Sequence, residues 1–388
     1  MHRILLATHE FPPFSGGIGR LIHGLATGAA ELGYDTHVLA PDFGEETSEW
    51  DCRQPYELTR FGGGQFRAAR DLLPFAWRCR REIKRLRPGI IHAVDPAGQL
   101  SLQALSRVGL VDKYFFTVNG SELLVYRNQL AQRLWMRGAF SAVDAVCAIS
   151  SATQDLLLEL FDMSASKVFV SNPGIDPIWI EQPTSDRDVV RRRWGIGRDD
   201  FVIVTVARRV PEKGHVEVLE GLARLPLELR EKAVYVVVGN GPEDYARELE
   251  SRASSSSVRL LMLGFLPDED VAALYDASDT FIMLSWQTAA RVEGFGLVYV
   301  EAGARGLPSV ARDVGGVSDA VRDGQTGIVL SPDSQAEEIA DALVRLRRDV
   351  EMRARLGKQA KDLATSLTWR KNARETYERF GEALKDGS

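Results

Sequence analysis

Short apolar runs that end in glycine, proline or polar turn residues recur along this chain, each followed by a segment able to form a helix. That alternation constrains the fold more than any other feature, because a βα series closes as a parallel sheet with helices on its faces. Arg3 to Ala7 supply a first strand, and "GYDTHVLAP", Gly89 to Asp95, Lys113 to Gly120, Val143 to Ser150 and Lys167 to Asp176 supply later ones. An amphipathic helix is expected over Leu21 to Leu32. Around Pro177 to Asp188 the pattern breaks into proline, acid and polar residues, which marks a candidate linker. A second series begins at Asp200 to Arg209 and continues through "AVYVVVGNGP", "VRLLMLGFLP", "TFIMLSW", "LPSVARDVGG" and "GIVLSP". The two series share an alternation and no solenoid-period repeat. The expected fold class is α/β, two Rossmann-like βα domains facing a cleft.

A chain of 388 residues is long enough for two buried cores. Its net charge of −6 presents no basic field of the kind that draws nucleic acid. Cys52, Cys79 and Cys147 are odd in number and lack CxxC spacing, so neither a disulfide framework nor a zinc site is expected, and a reducing cytoplasm fits. The opening "MHRILLATHEF" reads as a strand and not as a signal peptide. No apolar run approaches the roughly 18 residues of a membrane span. The expected location is the cytoplasm, with the inner face of a membrane as an option.

The stretch "EGFGLVYVE", Glu293 to Glu301, lies between the apolar run Thr280 to Leu284 and a segment, Leu297 to Ala304, that can be a helix. Its two glycines let the backbone approach a bound group and free amide donors at the coming helix N-terminus, a setting for anionic oxygens such as a diphosphate. Glu293 stands before the turn, and Glu301 is expected about two helical turns further on. A carboxylate repels phosphate, so these acids suit hydroxyls, which ribose and hexose both offer. The residues therefore read as a sugar-nucleotide site.

"VARRVPEKGH" ends a strand-like run with Arg208 and Lys213 flanking a loop. Two cations at the carboxyl end of a strand suit diphosphate oxygens and the charge that grows on a leaving nucleotide; the bland alternative is a solvated charged loop. "GGIG", Gly16 to Gly19, makes a strand–loop–helix opening whose spacing is not GxGxxG, and a tight turn explains it equally well. "VVVGNGP" and "LGFLPDED" end strands with turn residues, and "DVGGVSDAV" reads as a βα turn.

The Glu-x7-Glu pattern resembles the signature of retaining GT-B glycosyltransferases, in particular the large family 4. The longer run "VEGFGLVYVEAGARGLPSVARDVGGVSDAV" resembles the phosphatidylinositol mannosyltransferase branch more than sucrose or glycogen synthases. The resemblance implies a GT-B fold with an acceptor-side domain over residues 1–178, a donor domain over 186–368, and a C-terminal helix, 369–388, crossing back onto the first. It implies that Arg208 and Lys213 neutralise the leaving diphosphate, that Glu301 takes the ribose hydroxyls and Glu293 the hexose, and that amides of Phe295, Gly296 and Leu297 complete the anion site. Gly17 would bring its backbone near the donor, and the nucleobase would lie near Leu266, held through backbone groups. The family pattern has glycine where Ala207 stands, and Arg209 takes a place that is usually apolar. Asn119, in "TVNGSE", stands where the family usually has a histidine against the donor hexose. Asparagine can donate and accept hydrogen bonds but cannot become cationic. His92, at a strand end, can supply part of that function or be a packed core residue. The resemblance further implies front-face attack with the leaving phosphate as base, and no metal or resident cofactor.

Transfer of a mannose- or glucose-type hexose from a nucleoside diphosphate sugar to an acceptor hydroxyl of a lipid, glycan or small polyol is the expected activity. A GT-B epimerase or phosphorylase, or a nucleotide-sugar binding protein without catalysis, are the rivals. Phe66 to Arg87 carries many cations, only Asp71 and Glu82 as acids, and interleaved Phe66, Leu72, Leu73, Phe75 and Trp77. Such a stretch can lie on an anionic membrane, or be amphipathic helix whose apolar side is core.

Overall fold

The computed structural model describes residues 3–13, 16–42, 44, 47–62 and 71–386. The chain divides into two compact units, one of Met1–Gly174, Ala289–Phe295 and Leu367–Ser388, the other of Ile175–Thr288 and Gly296–Ser366. Both are α/β.

Among the described residues, the first unit holds a seven-stranded sheet built from β1 (Arg3–Ala7), β2 (Asp35–Pro41), β3 (Glu57–Phe61), β4 (Ile90–Ala93), β5 (Phe115–Val118), β6 (Ala145–Ala148) and β7 (Val168–Val170). The order is β3-β2-β1-β4-β5-β6-β7, and every pairing is parallel. Central strands such as β4 and β5 are buried along their whole length, which is why they read as unbroken apolar runs. The edge strand β3 is a difference from the sequence reading, which assigned no strand there. Its residues Glu57, Thr59 and Arg60 are polar, and only Phe61 is buried, so it lacks the apolar signature of the inner strands. The first helix runs over Gly17–Glu31, one turn earlier than its apolar periodicity suggests. The Trp369–Asp386 helix lies on this sheet: Phe380 stacks on Phe115 at 4.3 Å, and Asn372 Nδ2 donates to Ser171 Oγ at 2.9 Å.

In the second unit six strands, β8 (Phe201–Val206), β9 (Ala233–Val238), β10 (Arg259–Gly264), β11 (Thr280–Met283), β12 (Ser309–Arg312) and β13 (Gly327–Leu330), form a parallel sheet in the order β10-β9-β8-β11-β12-β13. The segment expected to be a linker is strapped down in this unit. Ile178–Glu181 is a helical turn with Trp179 buried, and the guanidinium of Arg305 donates to the carbonyl of Gln182 at 2.7 Å. The same guanidinium pairs with Asp276 at 2.6 Å, both side chains being almost fully buried. Removing one partner of such a pair strands the other charge, which gives the strap its hold.

Candidate active site

In doubly wound sheets, ligands gather at the carboxyl ends of the strands, and the residues expected to act sit at such ends in each unit. In the second unit β8 runs out through Ala207 to an exposed Arg208. A short turn, Pro211–Lys213, follows, with Lys213 half-buried, and the His215–Ala223 helix begins immediately after Gly214. The loop is held from beneath. His215 is fully buried, its Nε2 lies 3.4 Å from the Arg208 carbonyl, and its Nδ1 lies 3.0 Å from the Tyr235 hydroxyl. Burial pushes the His215 imidazole down to about 4, so it acts as a neutral strut. Trp286 clamps the turn from the β11 side, its Nε1 donating to the Pro211 carbonyl at 2.9 Å.

Beyond β11, Gly296 caps the Leu297–Ala304 helix with φ +88°, a conformation that favours glycine. The cap residue, a glycine, makes no side-chain hydrogen bond to the first amides of the helix. Glu301 is 4 % exposed. The helix begins only at Leu297, so Glu301 lies little more than one turn inside it, nearer the amides than the expected two turns. Leu266 is half-buried in the turn after β10, between exposed Phe265 and Pro267. Arg208, Lys213, Leu266, Gly296, Leu297 and Glu301 thus belong to one unit and follow the carboxyl ends of strands in one sheet.

Gly17, Asn119, Glu293 and Phe295 belong to the other. The signature is therefore divided: Glu293 packs with the first sheet and Glu301 with the second. Gly17 is exposed at the start of its helix after β1. Asn119 follows β5 and is fixed twice. Its Nδ2 donates to the Val94 carbonyl at 2.8 Å, and its backbone N–H donates to Glu122 Oε1. With Nδ2 committed to Val94, the amide oxygen is the atom Asn119 has left to offer; it has no partner among the described residues. Glu122 is 6 % exposed, and burial pushes its carboxyl up to about 7, against the backbone N–H groups that favour the charged form. Neighbouring Asp95, 3 % exposed, caps the Pro96–Arg107 helix through Gly98 N at 2.7 Å and accepts from Thr8 Oγ1 at 2.8 Å.

His92 is not a site residue. It is fully buried, with Nε2 2.8 Å from Thr117 Oγ1 and its ring edge-on to Phe380, and burial pushes it down to about 3. A neutral core histidine is what the structure makes of it. Among the described residues no cluster of three or more His, Cys, Asp or Glu side chains is arranged to hold a metal ion. Sequence reasoning passed over Asp95, Glu122 and His215. Asp95 before Pro96 was readable as a helix cap; the other two are singled out only by what packs around them.

Comparison with known proteins places this pair of parallel-sheet units among the glycosyltransferases. Residues 186–363 match the family described as "Glycosyl transferases group 1", and residues 15–178 match "Glycosyltransferase Family 4". The chain belongs to this family of GT-B glycosyltransferases. It is 29 % identical over 366 residues to a GDP-mannose-dependent alpha-(1-6)-phosphatidylinositol monomannoside mannosyltransferase of Mycolicibacterium smegmatis, covering 90 % of this chain and 91 % of that one. It is 32 % identical to a D-inositol 3-phosphate glycosyltransferase of Stackebrandtia nassauensis over 62 % of this chain and 55 % of the relative. The fold matches Anabaena HepE, solved with UDP and glucose, at a TM-score of 0.80 and 20 % identity over 98 % of this chain and 100 % of that one. It also matches sucrose-phosphate synthase of Thermosynechococcus elongatus at 0.80 and 18 % identity over all of both chains.

Proposed function

We propose that this glycosyltransferase moves a mannose- or glucose-type hexose from a nucleoside diphosphate sugar to an acceptor hydroxyl with retention at the anomeric carbon. The observation that carries the donor half of this reading lies in the second unit. A cationic loop after β8 and a helix N-terminus capped by glycine after β11 stand on neighbouring strands. In that unit Arg208 and Lys213 neutralise the diphosphate, the amides of Gly296 and Leu297 add donors, and Glu301 accepts from the ribose hydroxyls. Leu266 marks the base end. Glu293 and Asn119 offer acceptor oxygens for hexose hydroxyls, with the Phe295 amide and the Gly17 backbone as further donor contacts. No resident cofactor or metal enters this scheme, because the cations of the β8 loop do the charge neutralisation. The GDP-mannose-dependent relative supports that donor, and it and the D-inositol 3-phosphate glycosyltransferase support a lipid or inositol-type acceptor.

Calorimetric titration with GDP, UDP and ADP, followed by transfer assays with the matching hexose donors, tests the reading. GDP should bind tightest, and transfer should persist in EDTA. Loss of transfer on chelation, restored by magnesium or manganese, would overturn the charge argument. Binding of a nucleotide with neither transfer nor donor hydrolysis would leave only a sugar-nucleotide binding protein.

We further propose peripheral contact with an anionic membrane through the segment Phe66–Arg87, on the cytoplasmic face. Residues 66–70 lie outside the described residues; the rest forms the Leu72–Leu86 helix. Phe75, Ala76 and Cys79 on one side belong to the core, which fits the bland reading for that side. The other side exposes Leu73 (74 %) and Trp77 (58 %) beside Arg81 and Lys84, and the helix's one acid, Glu82, is buried, paired with Arg85. Co-sedimentation with vesicles containing anionic lipid, lost on Leu73→Ser plus Trp77→Ser, is the expected result. Among the described residues no helix is long and apolar enough to cross a membrane.

A further inference from the structure

The loop that carries Glu293 does not stand alone. It is seated on the turn that carries Asn119, and the contact nearest Glu293 is made by Ser121, 171 residues before Val292. Ser121 Oγ donates to the Val292 carbonyl at 3.1 Å and accepts from the Val292 N–H at 3.2 Å. One hydroxyl thus satisfies both backbone groups of the residue before Glu293, as a neighbouring strand would. The seat is completed by close backbone approach. A Cβ on Gly294 would lie 2.1 Å from the Asn119 carbonyl oxygen, so only glycine lets the two backbones meet. Thr153 Oγ1, on the Ser151–Leu160 helix, reaches the Gly294 carbonyl at 3.5 Å.

The base of this seat is rigid, because Asn119 is pinned by Val94 and Glu122 as described above. The sequence separation is long, yet the geometry leaves the loop one register: Val292 is paired, and Glu293 follows it directly. We propose that Ser121 is a positioning residue for Glu293, fixing its carboxylate relative to Asn119 so that both meet the same sugar. This rests on the reading of Glu293 as a hexose-binding group. Ser121 itself touches neither substrate nor the reacting atoms in this scheme. Its hydroxyl spends both of its roles, donor and acceptor, on one backbone residue, and a methyl group can supply neither.

The experiment is a double-mutant cycle on the full chain, reading hexose transfer from the donor the wild type uses and, separately, nucleoside diphosphate affinity. Ser121→Ala should lower kcat by about tenfold or more, as expected when a reacting contact is displaced. Nucleotide affinity should stay near wild type, because Arg208, Lys213 and Glu301 lie in the other unit. Ser121→Thr, which keeps the hydroxyl, should restore most of the rate. In a Glu293→Gln background, Ser121→Ala should cause little further loss, since the group it positions is gone. Equal losses from Ser121→Ala in both backgrounds would mean a general structural role and overturn the proposal. So would wild-type turnover in Ser121→Ala alone. A Glu293→Gln enzyme with undiminished transfer would instead sink the reading of Glu293. Should Ser121→Ala not fold, Ser121→Cys keeps the volume with a weak donor, and the same cycle applies with it.

Discussion

The two units meet the same demand, polar groups at the carboxyl ends of parallel strands, by opposite means. In the second, the candidate groups are local. Arg208 and Lys213 are five residues apart on one loop, and Gly296 and Glu301 five apart across one helix start. In the first, they are assembled from distant pieces: Asn119 is held by Val94, and Val292, the residue before Glu293, by Ser121. Local groups can be exchanged without moving the scaffold, and assembled ones cannot. If that contrast is sound, substitutions in the second unit should change binding and turnover directly. Those in the first should act through position.

The largest effect expected is on Lys213→Ala. Charge on the leaving diphosphate grows in the transition state, so a cation aimed at it matters most there. Loss of one such preorganised group commonly costs about a hundredfold to a thousandfold in kcat. Nucleotide affinity should fall much less. A variant with wild-type turnover and poor donor binding would show a ground-state clamp and break the comparison on its stronger side.

Glu301→Gln should come next. It keeps the volume of a side chain that is 4 % exposed but removes the charged acceptor proposed for the ribose. A hydrogen bond to a charged group is worth about 1.5–3 kcal/mol, so nucleotide affinity should drop roughly tenfold to a hundredfold. Unchanged affinity by calorimetry, in protein that melts normally, removes Glu301 from the donor site.

Asn119 sharpens the comparison from the other unit. Asn119→Ala should lose about tenfold in transfer, the scale of one neutral hydrogen bond, with nucleotide binding intact. A neutral histidine ring can donate to the Val94 carbonyl through one nitrogen, but it carries its acceptor nitrogen across a larger ring and not at the position of the amide oxygen, so Asn119→His should not match the wild-type rate. If Asn119→His is instead faster than wild type, the residue is a weakened histidine site and not an acceptor fixed in place. If Asn119→Ala matches wild type, Asn119 does not contact the sugar.

What could be read from the sequence follows the same division. Both sheets were legible because their inner strands are buried on both faces and appear as apolar runs. The exception, β3, is an edge strand with polar residues. The cationic loop and "EGFGLVYVE" were legible because their residues are close in sequence. What stayed hidden is long-range. Nothing in "TVNGSE" says that Ser121 meets Val292, nor that Glu122 is buried rather than solvated. The strand-end position of His92 suggested a cleft. Which side of β4 the ring takes depends on the C-terminal helix that covers it, and Phe380 of that helix lies against it.

The smallest effect on turnover is expected at Glu122, where the prediction concerns pH. Burial lifts its carboxyl from an ordinary 4.5 to about 7, so the folded protein holds that proton more tightly than the unfolded chain does. Its contribution to stability is therefore fully present below the unfolded value, is lost as pH rises from 4.5 to about 7, and stays lost above that. Glutamine keeps a side-chain oxygen for the Asn119 N–H but has no proton to lose. Hence Glu122→Gln should bind nucleotide and transfer sugar much as wild type does near neutrality, while its melting temperature gains on wild type as pH rises. The gain should begin near pH 4.5 and level off above about pH 7. His92 and His215, pushed down to about 3 and about 4, work in the opposite direction. They weaken the fold as pH falls below the ordinary histidine value, because the unfolded chain takes up protons that the folded one refuses. Both remain in the variant, so they drop out of the difference between the two melting curves. A difference that is flat from pH 5 to pH 8 would show that Glu122 keeps its charge state across that range. The seat under Asn119 would then rest on a permanent carboxylate, and the first unit would be less sensitive to its surroundings than the comparison holds.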